Sequence, residues 1–474
     1  MLRRPYLLFG LVSLAILLTS MQFSMVSVAL PALIDGLDAP LRWVGWTITI
    51  YTLAQAVSMP ISGRLSDQLG RRNVFVGGLA LFVVASALCA LSPNILMLIA
   101  GRALQGIAAG TVQPSAYGVV GDAFPKSRIR AIGMVSSIGP TGSIIGPNLA
   151  GLIVDTIGWR WTFWLNVPAG ALVVLLGMYA LRGSDGERSG GSTDFFGAAL
   201  LTLSVTPVVV ALTELSGKGG VSVPVVASMV IVAIAAGIGF YRRERKATNP
   251  IVDLELLTQR DFLVVNALQF GYGLTLFGAF AFLPLYAQEA YGFSPSEAGA
   301  LLTPRAIAVV LISMVTASLL PRTGLRKPIV FGLVFTSAGL LVLSLGIHHP
   351  ALFGFEVGHF VYLAAVVMVM GAGIGITNPP SNAAAIELAP ERLATIAGLR
   401  GMFRFMGGVL ATPIIVLIVE RSSSTEAGLE LAFFLLGIAT AGLMLLGLRI
   451  PESNEYRARR RAKRRAAAAA GTRQ

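Results

Sequence analysis

The stretch Gly63-Arg64-Leu65-Ser66-Asp67-Gln68-Leu69-Gly70-Arg71-Arg72 places charged and turn-forming residues between two long apolar segments. Glycines and basic residues in such a place favour a short loop that positive charge holds at the cytoplasmic face of a membrane. Asp67 is a single acid among cations, and it therefore needs a partner. The stretch predicts a loop that fastens two helices together.

The composition of the whole chain is that of a membrane protein. Of its 474 residues 55% are hydrophobic and only 12% are charged, which is far more apolar than a soluble domain. Apolar runs recur along the chain, each long enough to cross a hydrocarbon core of about 30 Å as a helix. We predict about fourteen such helices, near 6–30, 46–61, 74–91, 95–121, 132–153, 167–181, 195–212, 223–240, 262–285, 298–320, 329–347, 360–386, 396–419 and 431–448. An even number places both termini on the same side.

The net charge of +13 reports topology rather than a nucleic-acid partner. Lysine and arginine concentrate in every second loop, which is the positive-inside asymmetry and predicts cytoplasmic termini in a plasma (inner) membrane. All five tryptophans fall at the opposite helix ends, in the headgroup zone. The basic tail 450–474 either contacts anionic lipid headgroups or only fixes the topology.

An internal repeat divides the chain. Thr111, Pro114 and Ser115 recur at the same spacing as Thr377, Pro380 and Ser381, as expected for a duplicated bundle of six helices. The remaining two helices lie between the halves. The predicted organisation is an N-terminal bundle 1–181, a linker with two extra helices 182–261, a C-terminal bundle 262–449 and the tail.

The charged stretch resembles the motif G-x-L-x-D-x-x-G-R-R between the second and third helices of the major facilitator superfamily, and it matches at every defining position. With the two extra helices, the chain resembles the fourteen-helix drug:proton antiporter branch from Met21 to about Leu448. The resemblance implies an all-α membrane fold of two six-helix bundles plus two inserted helices that exposes a midplane site alternately to each side. It also implies gating by five residues of the stretch: Gly63, Asp67, Gly70, Arg71 and Arg72.

The predicted fourth helix carries Arg102 in the sequence Gly101-Arg102-Ala103-Leu104-Gln105-Gly106. A guanidinium inside an apolar helix must find a partner or water. The segment resembles the family's fourth-helix motif, in which the arginine is associated with proton coupling, so Arg102 is a coupling candidate together with Asp122. The alternative is an arginine that only binds facing backbone carbonyls.

Small residues and prolines recur along the predicted fifth helix. Glycines at a spacing of four permit close helix approach, and proline interrupts the hydrogen-bond ladder. The segment resembles the antiporter motif that ends G-P-x-x-G-G, with Ala150 replacing one glycine, and this implies export; a pure packing role is equally compatible with the glycines. The helix-bending candidates are Gly139, Pro140, Gly142, Gly146, Pro147 and Gly151.

The first helix departs from the branch, because Gln22 stands where an aspartate is usual. Since no acid falls at the middle of a predicted helix, proton antiport is favoured by the resemblance and weakened by the residues. The alternatives are uncoupled or lipid-like transport and a nontransporting sensor. Neutral or positive side chains remain to line a central cavity: Gln22, Gln55, Gln113, Asn266, Gln269, Arg305, Asn378, Asn382 and Arg404.

Other chemistry is not indicated. The chain has no phosphate-binding Walker loop, and its single cysteine, Cys89, cannot form a disulfide within the chain. His348, His349 and His359 lie near one outer loop without an evident set of carboxylates, so neither a metal site nor a cofactor is predicted. The sequence predicts a non-enzymatic exporter of hydrophobic or amphipathic small molecules that is embedded in the lipid bilayer and does not bind nucleic acid.

Overall fold

The structure, a computed structural model, describes residues 5–136, 138–180, 194–217, 222–247, 251–252, 254–352, 355–388 and 393–452. Nearly all of these residues are helical. A two-residue antiparallel pair is the exception, with Ala351 opposite Glu356 and Leu352 opposite Phe355. The helices are α1 (Pro5–Val28), α2 (Leu30–Leu37), α3 (Leu41–Leu69), α4 (Arg71–Ala90), α5 (Ile95–Ala123), α6 (Arg128–Ser136), α7 (Ile138–Thr156), α8 (Trp161–Trp164), α9 (Asn166–Ala180), α10 (Phe195–Ser216), α11 (Val223–Glu244), α12 (Leu254–Thr258), α13 (Arg260–Gly273), α14 (Phe280–Tyr291), α15 (Pro295–Ala300), α16 (Leu302–Thr323), α17 (Arg326–Leu343), α18 (His359–Leu388), α19 (Leu393–Arg421) and α20 (Thr425–Gly447).

Twelve helical segments within the described residues are long and apolar enough to cross a membrane. The other two predicted spans correspond to α3 and α7, which do not qualify. Helix α3 carries several threonines and Gln55, and α7 is rich in glycine and has Pro147 in its interior. The expected all-α membrane fold is therefore present, whereas a count of fourteen spans stays a prediction.

The charged stretch is not the loop that the sequence suggested. Helix α3 continues through it to Leu69, and α4 begins at Arg71. Gly70 alone joins the two helices, with φ +89°, a conformation that glycine adopts without steric cost. The backbone hydrogen bonds of the helix outweigh the turn preference of these residues, because a backbone N–H or C=O group that is left without a partner costs free energy.

The repeat in the sequence corresponds to equivalent packing. Helix α5 packs along α3 and α4, and α18 packs along α16 and α17 in the same way. Likewise α1 packs on α7, and α13 on α19. Pro114 and Pro380 each lie inside the repeated helix, and Gly324, with φ +76°, joins α16 to α17 as Gly70 joins α3 to α4.

The two inserted helices form a hairpin on one side of the molecule. Helix α10 packs on α11 and also on α3 and α19, which belong to different halves. Trp46 Nε1 donates to Thr213 Oγ1 at 2.9 Å, and Arg421 Nη2 donates to the Leu215 carbonyl at 2.6 Å. Helix α11 is largely exposed, with apolar side chains such as Ile231 outward. The boundaries at 181/182, 261/262 and 449/450 stay predictions, and 181–193 and 453–474 lie outside the described residues.

Candidate functional site

Hydrogen bonds join the two halves near one end of the helices. We name this the Trp159 end, after the tryptophan found there, and the opposite end the Gly70 end. The bonds found among the described residues include Gln288 Nε2 to the Val28 carbonyl (3.3 Å), Arg42 N to Glu420 Oε1 (3.3 Å) and Asn148 Nδ2 to Thr303 Oγ1 (2.6 Å). Asp155 Oδ2 also accepts hydrogen bonds from Ser296 N (2.9 Å) and from Ser296 Oγ.

The glycines of α7 lie where neighbouring helices come closest. A Cβ at Gly146 would lie 2.5 Å from Ser24 Oγ of α1, and one at Gly142 would lie 2.9 Å from Ser20 Cβ. At Gly151 it would lie 2.5 Å from the Pro295 carbonyl of the other half. Close approach is therefore possible only for glycine at these positions, whereas a Cβ at Gly139 would make an ordinary van der Waals contact of 3.6 Å with Ser20 Oγ. Pro140 is exposed, and Pro147 is buried inside α7.

Aromatic side chains join the halves at mid-helix. Phe277 packs edge-on against Phe23 of α1 at 4.7 Å between ring centroids, and it lies 5.3 Å from Phe405 of α19. Phe277 belongs to a π-helical turn, Leu274–Ala279, that joins α13 to α14. Such turns are rare and recur at functional sites. This aromatic cluster lies between the hydrogen-bonded Trp159 end and the Gly70 end.

At the Gly70 end, α4 is fastened to α5 and α9. The Arg71 guanidinium forms an ion pair with Asp122 and also donates to the Gly118 carbonyl at 3.4 Å. Arg72 donates to the Met178 carbonyl at 3.1 Å. Gly63 lies in α3 with open space where a side chain would be. The side chain of Asp67 lies outside the described part of the structure, so its expected partner stays a prediction.

Arg102 is fully buried in a polar network that contains no acid among the described residues. Its Nε donates to the Thr47 carbonyl at 2.9 Å and its Nη1 to Gln105 Oε1 at 2.8 Å. Gln105 in turn donates to Ser86 Oγ at 2.8 Å, and the guanidinium lies 4.0 Å from the ring centroid of Tyr51. Gln105 could have been anticipated, because residues three apart share a helix face.

Gln22, which replaces the usual acid of the first helix, is also fully buried. Its Oε1 accepts a hydrogen bond of 2.6 Å from Nδ2 of Asn166, the first residue of α9. Its own Nε2 has no partner among the described residues. This position therefore holds a neutral amide pair that joins α1 to α9.

The C-terminal half has its own buried cation, Arg400, which the sequence analysis missed. Its Nη2 donates to Gln269 Oε1 at 2.8 Å and to Ser381 Oγ at 3.1 Å, and its Nε donates to Asn382 Oδ1 at 3.2 Å. Asn378 Oδ1 accepts a bond of 3.4 Å from Asn382. Two of the predicted cavity residues, Gln269 and Asn382, thus contact one guanidinium, and a third, Asn378, contacts Asn382. An arginine four residues before Arg404 in an apolar helix was the signal that could have found it.

Two further arginines lie near this cluster of helices. Arg305 is 6% exposed and lies over the Phe280 ring at 4.3 Å, and Arg404 lies 5.3 Å from the Phe405 ring centroid. The Nε of each has no hydrogen-bond partner among the described residues. None of the four arginines at 102, 305, 400 and 404 forms a salt bridge within the described chain.

The other predicted cavity residues are not brought to these arginines. Asn266 donates to the Phe262 carbonyl of its own helix at 2.9 Å, and Gln113 donates to Tyr117 Oη at 3.2 Å. Gln55 is half-buried in α3 at the closest approach of α5. A mostly apolar cleft in the C-terminal half is lined by Leu268, Leu333, Ile374 and Leu443 together with Gln269, Tyr272, Thr275, Thr336, Asn378 and Ser381, among others.

One prediction about the histidines is wrong. His348 does have carboxylates nearby: its Nε2 lies 2.7 Å from Glu426 Oε1, and Glu430 is adjacent. The carboxylates were missed because they lie on α20, with Glu426 78 residues further along the chain than His348.

Two helical bundles that pack against each other and hold neutral and cationic polar groups in their interior indicate a multi-pass membrane transporter rather than an enzyme. A sequence profile of the Major Facilitator Superfamily matches residues 12–258 and 265–473. The chain belongs to that superfamily.

Individual relatives agree with this family. The chain is 30% identical over 428 residues to the multidrug transporter protein MdtP of Bacillus subtilis, covering 89% of this chain and 76% of the relative. It is 30% identical over 424 residues to the tetracenomycin C resistance and export protein of Streptomyces glaucescens, covering 88% and 77%. A crystal structure of a POT family transporter in complex with a thioalcohol-conjugated peptide has the same fold, with a TM-score of 0.70 at 15% identity over 92% of this chain and 94% of the other.

Proposed function

We propose that the protein exports amphipathic small molecules that carry an anionic or zwitterionic group across the plasma membrane. The names of the relatives, a multidrug transporter and a resistance and export protein, support export. Helix α7, with its close contacts at Gly142, Gly146 and Gly151, supports it as well.

The observation that carries the substrate class is the uncompensated positive charge of the interior. Arg305 is buried over Phe280, and Arg404 lies beside Phe405, with no salt bridge to either cation within the described residues. A buried guanidinium without an acid is costly unless a counter-ion or water reaches it. A substrate with an anionic group and an apolar body can pair its charge with the arginine and place its apolar part against the aromatic ring.

The arrangement of the halves supports alternating access. With the Trp159 end assigned to the outside, the hydrogen bonds between the halves close the external side, and the aromatic cluster Phe23–Phe277–Phe405 lies beneath them. The connections α3–α4 and α16–α17, which contain Gly70 and Gly324, then lie at the cytoplasmic side. The gating roles of Gly63, Asp67, Gly70, Arg71 and Arg72 belong to this proposal, as does contact of the basic tail 450–474 with anionic lipid.

A second candidate is transport without proton coupling. The amide pair Gln22–Asn166 supports it, since neither partner titrates in the physiological range. Arg102 also supports it, because its described partners are a carbonyl, an amide and an aromatic ring. Coupled antiport would instead require an acid elsewhere, for which Asp122 is the candidate.

The test is efflux from proteoliposomes with two dyes of the same apolar body, one anionic and one cationic. We expect faster movement of the anionic dye and at least about tenfold slower movement of it in Arg305→Gln, since loss of a charge-assisted contact costs about 1.5–3 kcal/mol. Exposed Arg260→Gln is the matched control. Equal loss with both dyes, or preference for the cation, overturns the substrate class. An imposed pH gradient that leaves the rate unchanged supports uncoupled transport, and a gradient-driven rate contradicts it.

A further inference from the structure

Three side chains that commonly bind metal ions meet at the Trp159 end of the C-terminal half. His348 lies in the segment between α17 and the β-pair, and Glu426 and Glu430 lie in the first two turns of α20. One ligand atom from each lies within 4.8 Å of the other two. The site is half-buried: the His348 side chain is 44% exposed and that of Glu426 is 33% exposed.

The two glutamates of this cluster bring together two negative charges that a further positive charge would stabilise. Glu426 and Glu430 are four residues apart on one helix face, where like charges repel. Within the described residues neither forms a salt bridge with lysine or arginine, and His348 is the only recorded ionic partner of Glu426. A protonated imidazole would neutralise one carboxylate, whereas a divalent cation would neutralise both.

Neighbouring groups hold the three side chains in place. Tyr286 Oη donates to Glu430 Oε1 at 3.3 Å, and His359 Nε2 lies 2.6 Å from the His348 carbonyl oxygen. The ring of Tyr291 packs against both imidazoles, with centroids 5.2 and 5.3 Å away. Gly346, with φ +55°, lies against the Glu430 carboxylate where a Cβ would collide with it. Contacts that orient the ligands in this way are typical of metal sites.

We propose that His348, Glu426 and Glu430 bind a divalent cation of the zinc class. One imidazole nitrogen and two carboxylate oxygens are donors that zinc accepts, with a fourth position left for water. Tetrahedral ligand atoms lie about 3.3 Å apart at zinc distances. Binding therefore requires the His348–Glu426 spacing of 2.7 Å to widen and the longer spacings in the group, which are within 4.8 Å, to shorten. The ion fastens the segment before the β-pair to α20.

Equilibrium dialysis of the purified full-length protein in detergent, without a histidine tag and after removal of metal by EDTA, tests the site. We expect one Zn²⁺ per chain, binding that weakens as acid protonates the imidazole, and a rise in melting temperature that EDTA reverses. His348→Ala and the pair Glu426→Gln/Glu430→Gln should each weaken binding at least tenfold. Co²⁺ should give the visible absorption of a low-symmetry site in the parent protein and not in these two variants.

The matched control is His349→Ala, which removes the adjacent exposed histidine and should bind like the parent. Elution from size exclusion and far-ultraviolet circular dichroism show whether each variant is folded. Should the double glutamine variant fold poorly, His348→Gln serves in its place. No binding by the parent protein, or equal affinity in the His348 and His349 variants, overturns the proposal. The contact between His348 and Glu426 would then be a hydrogen bond within the protein only.

Discussion

Arg400 Nη2 donates a hydrogen bond of 2.8 Å to Gln269 Oε1 and thereby joins α19 to α13 in the interior of the C-terminal half. The same guanidinium holds Asn382 and Ser381 of α18. One cation therefore links three helices through neutral acceptors, as Arg102 links α5 to α3 in the N-terminal half.

Replacing Arg400 by alanine should destabilise the protein by about 1–3 kcal/mol, because the buried Gln269 amide oxygen and the buried Ser381 hydroxyl lose a donor. The melting temperature of the detergent-purified protein measures the effect. Arg260→Ala, which removes an exposed arginine at the start of α13, should melt with the parent. Equal melting of the two variants would show that the Arg400 contacts contribute nothing net.

Gly146→Ala should slow transport about tenfold or more. The new Cβ would lie 2.5 Å from Ser24 Oγ and 2.9 Å from the Met21 carbonyl, and overpacking of this kind costs about 1–3 kcal/mol. Gly139→Ala on the same helix adds only an ordinary contact of 3.6 Å to Ser20 Oγ and should transport normally. Dye efflux at matched protein abundance compares them. A Gly139 variant as slow as the Gly146 variant would attribute the loss to backbone flexibility instead of close packing.

The pair Arg71 and Asp122 should matter for transport more than for stability. Both side chains are about one-third to one-half exposed, so breaking the ion pair by Asp122→Asn should cost under about 1 kcal/mol. We expect slower transport with an almost unchanged melting temperature. The charge-reversed double variant Arg71→Asp/Asp122→Arg should recover part of the rate. No recovery would show that the residues act separately.

Asn148→Cys and Thr303→Cys, introduced together in a Cys89→Ser background, should cross-link readily. The two native side chains are hydrogen-bonded at 2.6 Å across the halves, so a short bifunctional thiol reagent should bridge them and stop transport by locking the Trp159 end. A cleavable reagent allows recovery to be measured. Either single-cysteine variant, treated alike, should keep its activity. Full transport after complete cross-linking would exclude opening at this end.

The elements that the sequence predicted well are those defined by local pattern. The apolar runs became helices, the turn at Gly70 required glycine, and the repeat appeared as equivalent packing of α5 and α18. The predictions that failed concern which face of a helix points inward and which residues far apart in the chain meet. Arg400 and Gln269 are 131 residues apart, and His348 and Glu426 are 78 apart, so no local pattern indicates that they meet. The loop predicted over 63–72 failed at every residue except Gly70, because charged side chains do not prevent a helix from continuing past an apolar core.

Helix α10 lies across the junction of α3 and α19, whereas no helix of the described chain covers the equivalent junction of α7 with α15 and α16 in the same way. A pair of bundles of this kind has two such junctions between its halves that face the lipid, and the inserted hairpin covers one of them. An amphipathic cargo that enters from the bilayer would therefore have a single way in. The two extra helices would then make access from the lipid asymmetric in a transporter whose halves are otherwise related by pseudo-two-fold symmetry.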